Sequence, residues 1–63
     1  MTREEFDNLE LYDHIETKNG NLWWVCEILP SGVILQNVDK YTDMFKITTG
    51  EDLSEYKIIE INE

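Results

Sequence analysis

Apolar and polar positions change their period several times along the chain. Phe6 and Leu9 lie three apart, which puts them on one side of a helix. Ahead of them, Thr2-Arg3-Glu4-Glu5 has the form of a capping box, with Thr at the cap and Glu three residues on. Residues 2–9 are therefore predicted as a short helix, with Glu4, Glu5 and Asp7 near its positive N-terminal end. From Leu9 through Leu11, Asp13, Ile15 and Thr17 the period falls to two. That pattern predicts an extended segment becoming a strand over 14–18. Asn19-Gly20 then predicts a two-residue type I′ hairpin turn, whose two central residues both need positive φ.

The stretch 22–29 is apolar on both faces. Leu22, Trp24, Cys26 and Ile28 share one; Trp23, Val25 and Leu29 share the other, interrupted by Glu27. A half-exposed strand in a flat sheet alternates more cleanly, so this one is expected to be long and bent, lining a core and then a second surface. Pro30-Ser31-Gly32 is a turn. A third strand is predicted over 33–38, a polar loop around Tyr41, and a fourth strand over 44–48 with Phe45 and Ile47 on one face. Residues 49–55 read as a single helical turn, with Thr49 as cap and Asp52 three residues on. The last strand covers 56–61, with Ile59 and Ile61 on the face opposite Ile58.

The predicted fold is mainly β: a small five-stranded, partly open barrel with a short N-terminal helix and a helical turn before the last strand. Alanine, the best helix former, is absent. Two or three bare hairpins do not hold in water, and curling into a barrel removes most of the open edge. The series Asp13-His14-Ile15-Glu16, Gly20, Trp24-Val25, Ile28, Gly32-Val33-Ile34-Leu35, and the turn before Tyr56-Lys57-Ile58-Ile59, resembles an SH3-like barrel. In particular it is similar to small SH3-like proteins of Gram-positive bacteria and their phages. The resemblance covers roughly residues 10–62 and lies in element order and apolar spacing. It implies a five-stranded barrel and no one function. The 63 residues are read as one domain, with a helix over 2–9 and a barrel over 13–61.

Size and residue content restrict the chemistry. A domain this short buries only about 60% of its unfolded surface, which leaves little protein to build a water-excluding catalytic pocket. The chain has one histidine, His14, and one cysteine, Cys26. A single pair of this kind makes neither an oriented nucleophile–base–partner set nor a tetrahedral zinc site. His14, between Asp13 and Glu16, reads as a solvated strand-edge residue, and Cys26 as a buried, inert thiol. No Asp-x-Asp-x-Asp-Gly calcium loop and no glycine-rich phosphate loop occurs. The expectation is a binding protein rather than an enzyme, with no cofactor and no metal. The start of the chain lacks the basic and apolar stretches of a signal peptide, and a cytoplasmic location is expected.

Charge changes the picture most. Fourteen acidic residues against five basic ones give a net charge of −9. Such a chain repels phosphate backbones and anionic membranes, so direct contact with nucleic acid or membrane is not expected. It attracts a basic protein surface. Acids crowd both ends: Glu4, Glu5, Asp7, Glu10, Asp13 and Glu16 near the start, and Glu51, Asp52, Glu55, Glu60 and Glu63 near the finish. First and last strands of such a barrel are neighbours, so these acids are expected to share one face. Plain solubility is the competing explanation for the charge.

Aromatic residues are the other candidates for contact. Trp23 and Trp24 must point to opposite faces of one strand. One is expected in the core; the other lies either under Phe6 and Leu9 or at a binding surface, and burial of both is the favoured arrangement. The candidate partner-binding residues are Glu4, Glu5, Asp7, Glu10, Asp39, Tyr41, Asp43, Glu51, Asp52, Glu55 and Trp23. The functional expectation is an acidic phage or mobile-element protein that inhibits or modulates a basic, nucleic-acid-handling host protein. An anti-defence role, against a CRISPR nuclease or a restriction enzyme, is its sharpest form. A peptide-binding SH3-like adaptor is the alternative, and a homo-oligomeric module is compatible with either.

Overall fold

A computed structural model describes residues 1–60. One helix and five antiparallel strands follow in the order α1 (Arg3–Asp7), β1 (His14–Thr17), β2 (Leu22–Leu29), β3 (Gly32–Asn37), β4 (Met44–Thr48) and β5 (Tyr56–Ile59). They form one sheet, β4-β3-β2-β1-β5, curled into a half-barrel. The expected mainly β fold is observed; residue 61, included in the predicted last strand, lies outside the described residues.

The helix is shorter than 2–9, but its start is as the capping box predicts. The Glu5 amide donates to Thr2 Oγ1 at 3.1 Å, and the Thr2 amide donates to Glu5 Oε1 at 2.8 Å. Two orphan donors of the first turn are thereby satisfied. Five residues do not hold a helix alone. Burial of Phe6, and of Leu9 just beyond the helix end, anchors α1 to the concave side of the sheet. Thr2→Ala should lower unfolding free energy by about 1 kcal/mol, measured by urea denaturation.

The core is Phe6, Leu9, Ile15, Val25, Val33, Leu35, Ile47 and Leu53. Ile15, Val25, Leu35 and Ile47 are completely buried. Val25 faces Leu35, which faces Phe45 on the next strand, and Val33 faces Ile47. These inward rows come from alternate residues, as a sheet with one covered face requires.

Three local readings are corrected. The β1–β2 turn is not a two-residue type I′ turn. The Gly20 amide donates to the Thr17 carbonyl, the Thr17 amide donates to Asn21, and only Gly20 (φ 86°) has positive φ there. This is the three-residue connection in which glycine supplies the single left-handed position. The segment before β5 consists of turns rather than a helical turn. Thr48, not Thr49, is the residue gripped: its amide and hydroxyl donate to Glu51 Oε1 at 3.3 and 3.2 Å. Leu53 then drops into the core and draws the chain across the concave side. Finally, the run from Leu9 to Asp13 is folded back rather than extended. The Asp13 amide donates to the Glu10 carbonyl, and Tyr12 takes φ 73°. That conformation costs a non-glycine residue about 1–3 kcal/mol. It is held by the Tyr12 amide donating to the Val25 carbonyl at 2.8 Å and by the tyrosine ring stacking on Trp24.

Strand β2 carries a bulge. Val25 pairs with Leu35 and Glu27 pairs with Ile34, so Cys26 is the extra residue. The side-chain phase therefore flips once along the strand. Trp23 and Val25 face inward before the bulge, and Ile28, opposite buried Val33, lies on the same concave side after it, half exposed at the rim. This accounts for the apolar reading on both faces. Expected burial of both tryptophans is corrected: each is only partly buried, and Trp24 lies on the convex outer face. Cys26 is also partly exposed rather than buried.

Candidate functional site

The concave side, covered by α1 and by the chain between β4 and β5, carries most of the candidate acids. Arg3 donates to the Thr49 carbonyl, and the amino group of Met1 donates to the carbonyls of Leu53 (3.2 Å) and Tyr56. With Phe6 and Leu53 in one core cluster, these contacts lay α1 along residues 49–56. Glu4, Glu5 and Asp7 thus share the concave side with Glu51, Asp52 and Glu55, all six exposed, spread from Asp7 near Pro30 at the β2–β3 turn to Glu55 near Lys18 at the β1–β2 turn. Two side-chain cations pair with this set, Arg3 3.5 Å from Asp7 and Lys18 3.6 Å from Glu55, and the Met1 ammonium acts on Glu5.

Several of these carboxylates are held by backbone amides. The Thr2 amide bond keeps the Glu5 carboxyl below its ordinary value of 4.5. The Ser54 amide does the same for Asp52, below 3.8. In both cases the hydrogen bond favours the charged form, so both stay ionised to lower pH than free carboxylates.

The remaining candidates lie elsewhere. Asp39, Tyr41 and Asp43 sit in the β3–β4 loop. Buried Asn37 anchors that loop, its Oδ1 accepting from the amides of Asp39 and Lys40 at 2.8 Å each. The loop lies at the end of the sheet that also carries the β1–β2 turn, where the Val38 amide donates to the Leu22 carbonyl. Glu10 belongs to the turn ahead of β1, its amide donating to Asp13 Oδ2. The eleven candidates therefore do not form one site. The six acids of α1 and residues 51–55 share one side, Trp23 meets that set only at Glu55, with which it lines a groove, and the loop residues and Glu10 lie apart.

Trp23 belongs to an aromatic group that the sequence leaves unassembled. Its ring meets Phe45 edge-on at 4.6 Å, and Phe45 stacks against Tyr56 at 6.2 Å. The indole Nε1 donates to Thr17 Oγ1 at 3.4 Å. Together with Lys18, Asn19 and Glu55 they line an open groove of about 520 Å³. Burial, and then the negative charges of Glu51 and Glu55, raise the Tyr56 hydroxyl above its ordinary value of 10.0. The sequence places Phe45 on one face with Ile47 and gives Tyr56 no face, and only strand pairing reveals that both join Trp23 in one group.

His14 and Cys26 both lie on the sheet, and the Cys26 thiol is turned to the Ile34 carbonyl, to which it donates at 3.4 Å. Among the described residues no three His, Cys, Asp or Glu side chains are placed to hold a metal ion. No helix among them is long and apolar enough to cross a membrane. Comparison of the chain with protein-family models, with curated proteins and with solved structures finds no match.

Proposed function

We propose that this domain is an acidic interaction module whose α1 side engages a basic protein surface. In its sharpest form it covers the nucleic-acid-binding surface of a defence nuclease or restriction enzyme, as an inhibitor carried by a phage or mobile element. The observation that supports this reading is the packing of α1 along residues 49–56, which distributes six exposed carboxylates over one side of the molecule on a rigid support. Carboxylates so fixed mimic the repeating charge of a phosphate backbone and speed encounter with a cationic partner.

Capture of partners from a bacterial lysate tests it. The basic protein retained at about 50 mM salt should be lost at about 500 mM, where screening shortens the range of such attractions severalfold. The triple variant Glu4→Gln, Glu51→Gln, Asp52→Asn removes three charges and keeps oxygen acceptors in place. It should bind the captured protein at least about tenfold more weakly, as charge complementarity demands. Binding that is indifferent to salt and to this variant overturns the reading. If that same binding is lost in Phe45→Ala, the adaptor reading takes its place, with the Trp23–Phe45–Tyr56 groove as the peptide site. That second reading is favoured by the open groove itself and by the SH3-like resemblance of the sequence.

A further inference from the structure

The convex face of the sheet differs in kind from the rest of the surface. One row crosses all five strands through directly paired residues: Ile59, His14, Trp24, Gln36 and Met44. The row contains no carboxylate and no lysine. Tyr12 lies stacked on Trp24, their centroids 5.5 Å apart, and with His14 and Val38 they enclose a shallow depression of about 310 Å³. Tyr12, Val38 and Met44 are 68%, 44% and 54% exposed. On one side of the row lie Leu22, Glu16 and Lys57; on the other lie Glu27, Ile34 and Lys46.

The four strand-borne charges on this face are two acids and two lysines, so they sum to zero. The net charge of −9 is thus carried entirely outside the convex face strands. An exposed apolar patch on a small protein marks a contact site, and here the strands beneath the patch carry no net charge, the nearest other acids being Glu10, Asp13, Asp39 and Glu60 at its margins. A basic partner gains nothing from a neutral face. A second copy does, because it brings the same apolar row and equal numbers of both signs.

Area agrees. A stable association removes about 800 Å² from each partner. The described chain exposes 4503 Å² and measures 27 × 23 × 22 Å, so one of its six sides offers about that much. We infer that the convex sheet face, centred on Tyr12 and Trp24, is the self-association surface of a symmetric dimer in which two sheets pack face to face. Such an interface is isologous, with each copy giving the same patch. It leaves α1 and its carboxylates exposed on the two far sides of the pair, so the dimer is bivalent toward any basic target. The inference does not depend on the function proposed above.

Sedimentation equilibrium on the intact chain tests it. At about 1 mM protein in about 0.5 M salt the mass should be twice that of one chain. Salt should tighten association by severalfold or more, because it screens repulsion between two negative chains; partner capture by the acidic side has the opposite salt dependence. Met44→Glu should weaken the dimer by about a hundredfold, since a buried unpaired charge at an interface is strongly disfavoured. Ser54→Glu, the same charge change on the exposed opposite side, should leave it intact. Trp24→Glu should act as Met44→Glu does; where it unfolds, judged by circular dichroism, Met44→Glu carries the test. A monomer under these conditions, a larger assembly, or an unchanged dimer in folded Met44→Glu overturns the inference. So does a monomeric protein whose capture of a basic partner is lost in Met44→Glu, which would give the face to that partner.

Discussion

Gly32→Ala is expected to leave little or no folded protein at room temperature. Gly32 opens β3 with φ 151° and pairs with Thr48. A Cβ placed there would overlap the Ile47 carbonyl oxygen and lie 3.0 Å from both the Ile47 carbonyl carbon and Thr48 Cα. All three are backbone atoms of the neighbouring strand, so no side-chain rotation relieves the clash. The φ value alone costs an alanine roughly 1–3 kcal/mol, and separation of β3 from β4 adds the loss of packing around Ile47. A domain of this size starts near the lower end of the about 5–15 kcal/mol range. The outcome should be an unfolded circular dichroism spectrum or a collapsed urea midpoint. Gly20→Ala is the comparison: nothing lies within 4 Å of its Cβ position, and only the φ of 86° resists it. Equal stability losses for the two would refute the clash.

Leu35→Ala should cost about 2–5 kcal/mol, the range for removing a buried leucine where the surroundings cannot collapse. Leu35 is completely buried in the middle of β3, between Val25 and Phe45. Its neighbours are fixed by ladders on both sides, so the space it leaves persists. Tyr41→Ala should by contrast change stability by no more than about 0.5 kcal/mol, because that side chain is 75% exposed in a loop. Paired urea titrations decide both. A Leu35→Ala variant within about 1 kcal/mol of the parent would mean that the core is looser than its burial indicates.

The features readable from residues alone are those set by neighbours in sequence. The capping box of Thr2 and Glu5 is one, because both partners lie within one turn. Opposite directions for Trp23 and Trp24 are another, because they follow from the two-residue period of any strand. Reading failed wherever a distant group decided the outcome. The 49–55 segment has the residues of a helix start, yet burial of Leu53 and the grip of Glu51 on Thr48 stretch it across the barrel mouth. Tyr12 occupies a glycine-like backbone position because Val25 and Trp24, on another strand, hold it there. At the candidate site, the placement of the α1 acids on the same side as Glu51, Asp52 and Glu55 follows from β1 and β5 lying together, which the barrel order implies. The separation of Asp39, Tyr41 and Asp43 from them required the strand pairing, as did the neutrality of the convex-face strands, where Glu16 stands across from Lys57 while Glu27 and Lys46 are parted by Ile34.

The extra residue at Cys26 sets how this chain tolerates changes in length. Its two flanks are in opposite phase, each matched to β3. Deleting Cys26 itself would leave Val25 on Leu35, Glu27 on Ile34 and Ile28 on Val33, so both halves would keep their faces. Inserting a residue between Trp24 and Val25 would instead turn Trp24 toward the core and Trp23 toward solvent. Insertions of one or two residues in the 38–43 loop meet no such conflict, since Asn37 can hold the loop's base while its tip lengthens. Natural variants of this domain should therefore gain residues in the loop around Tyr41 rather than within β2, and lose one from β2 only at the bulge.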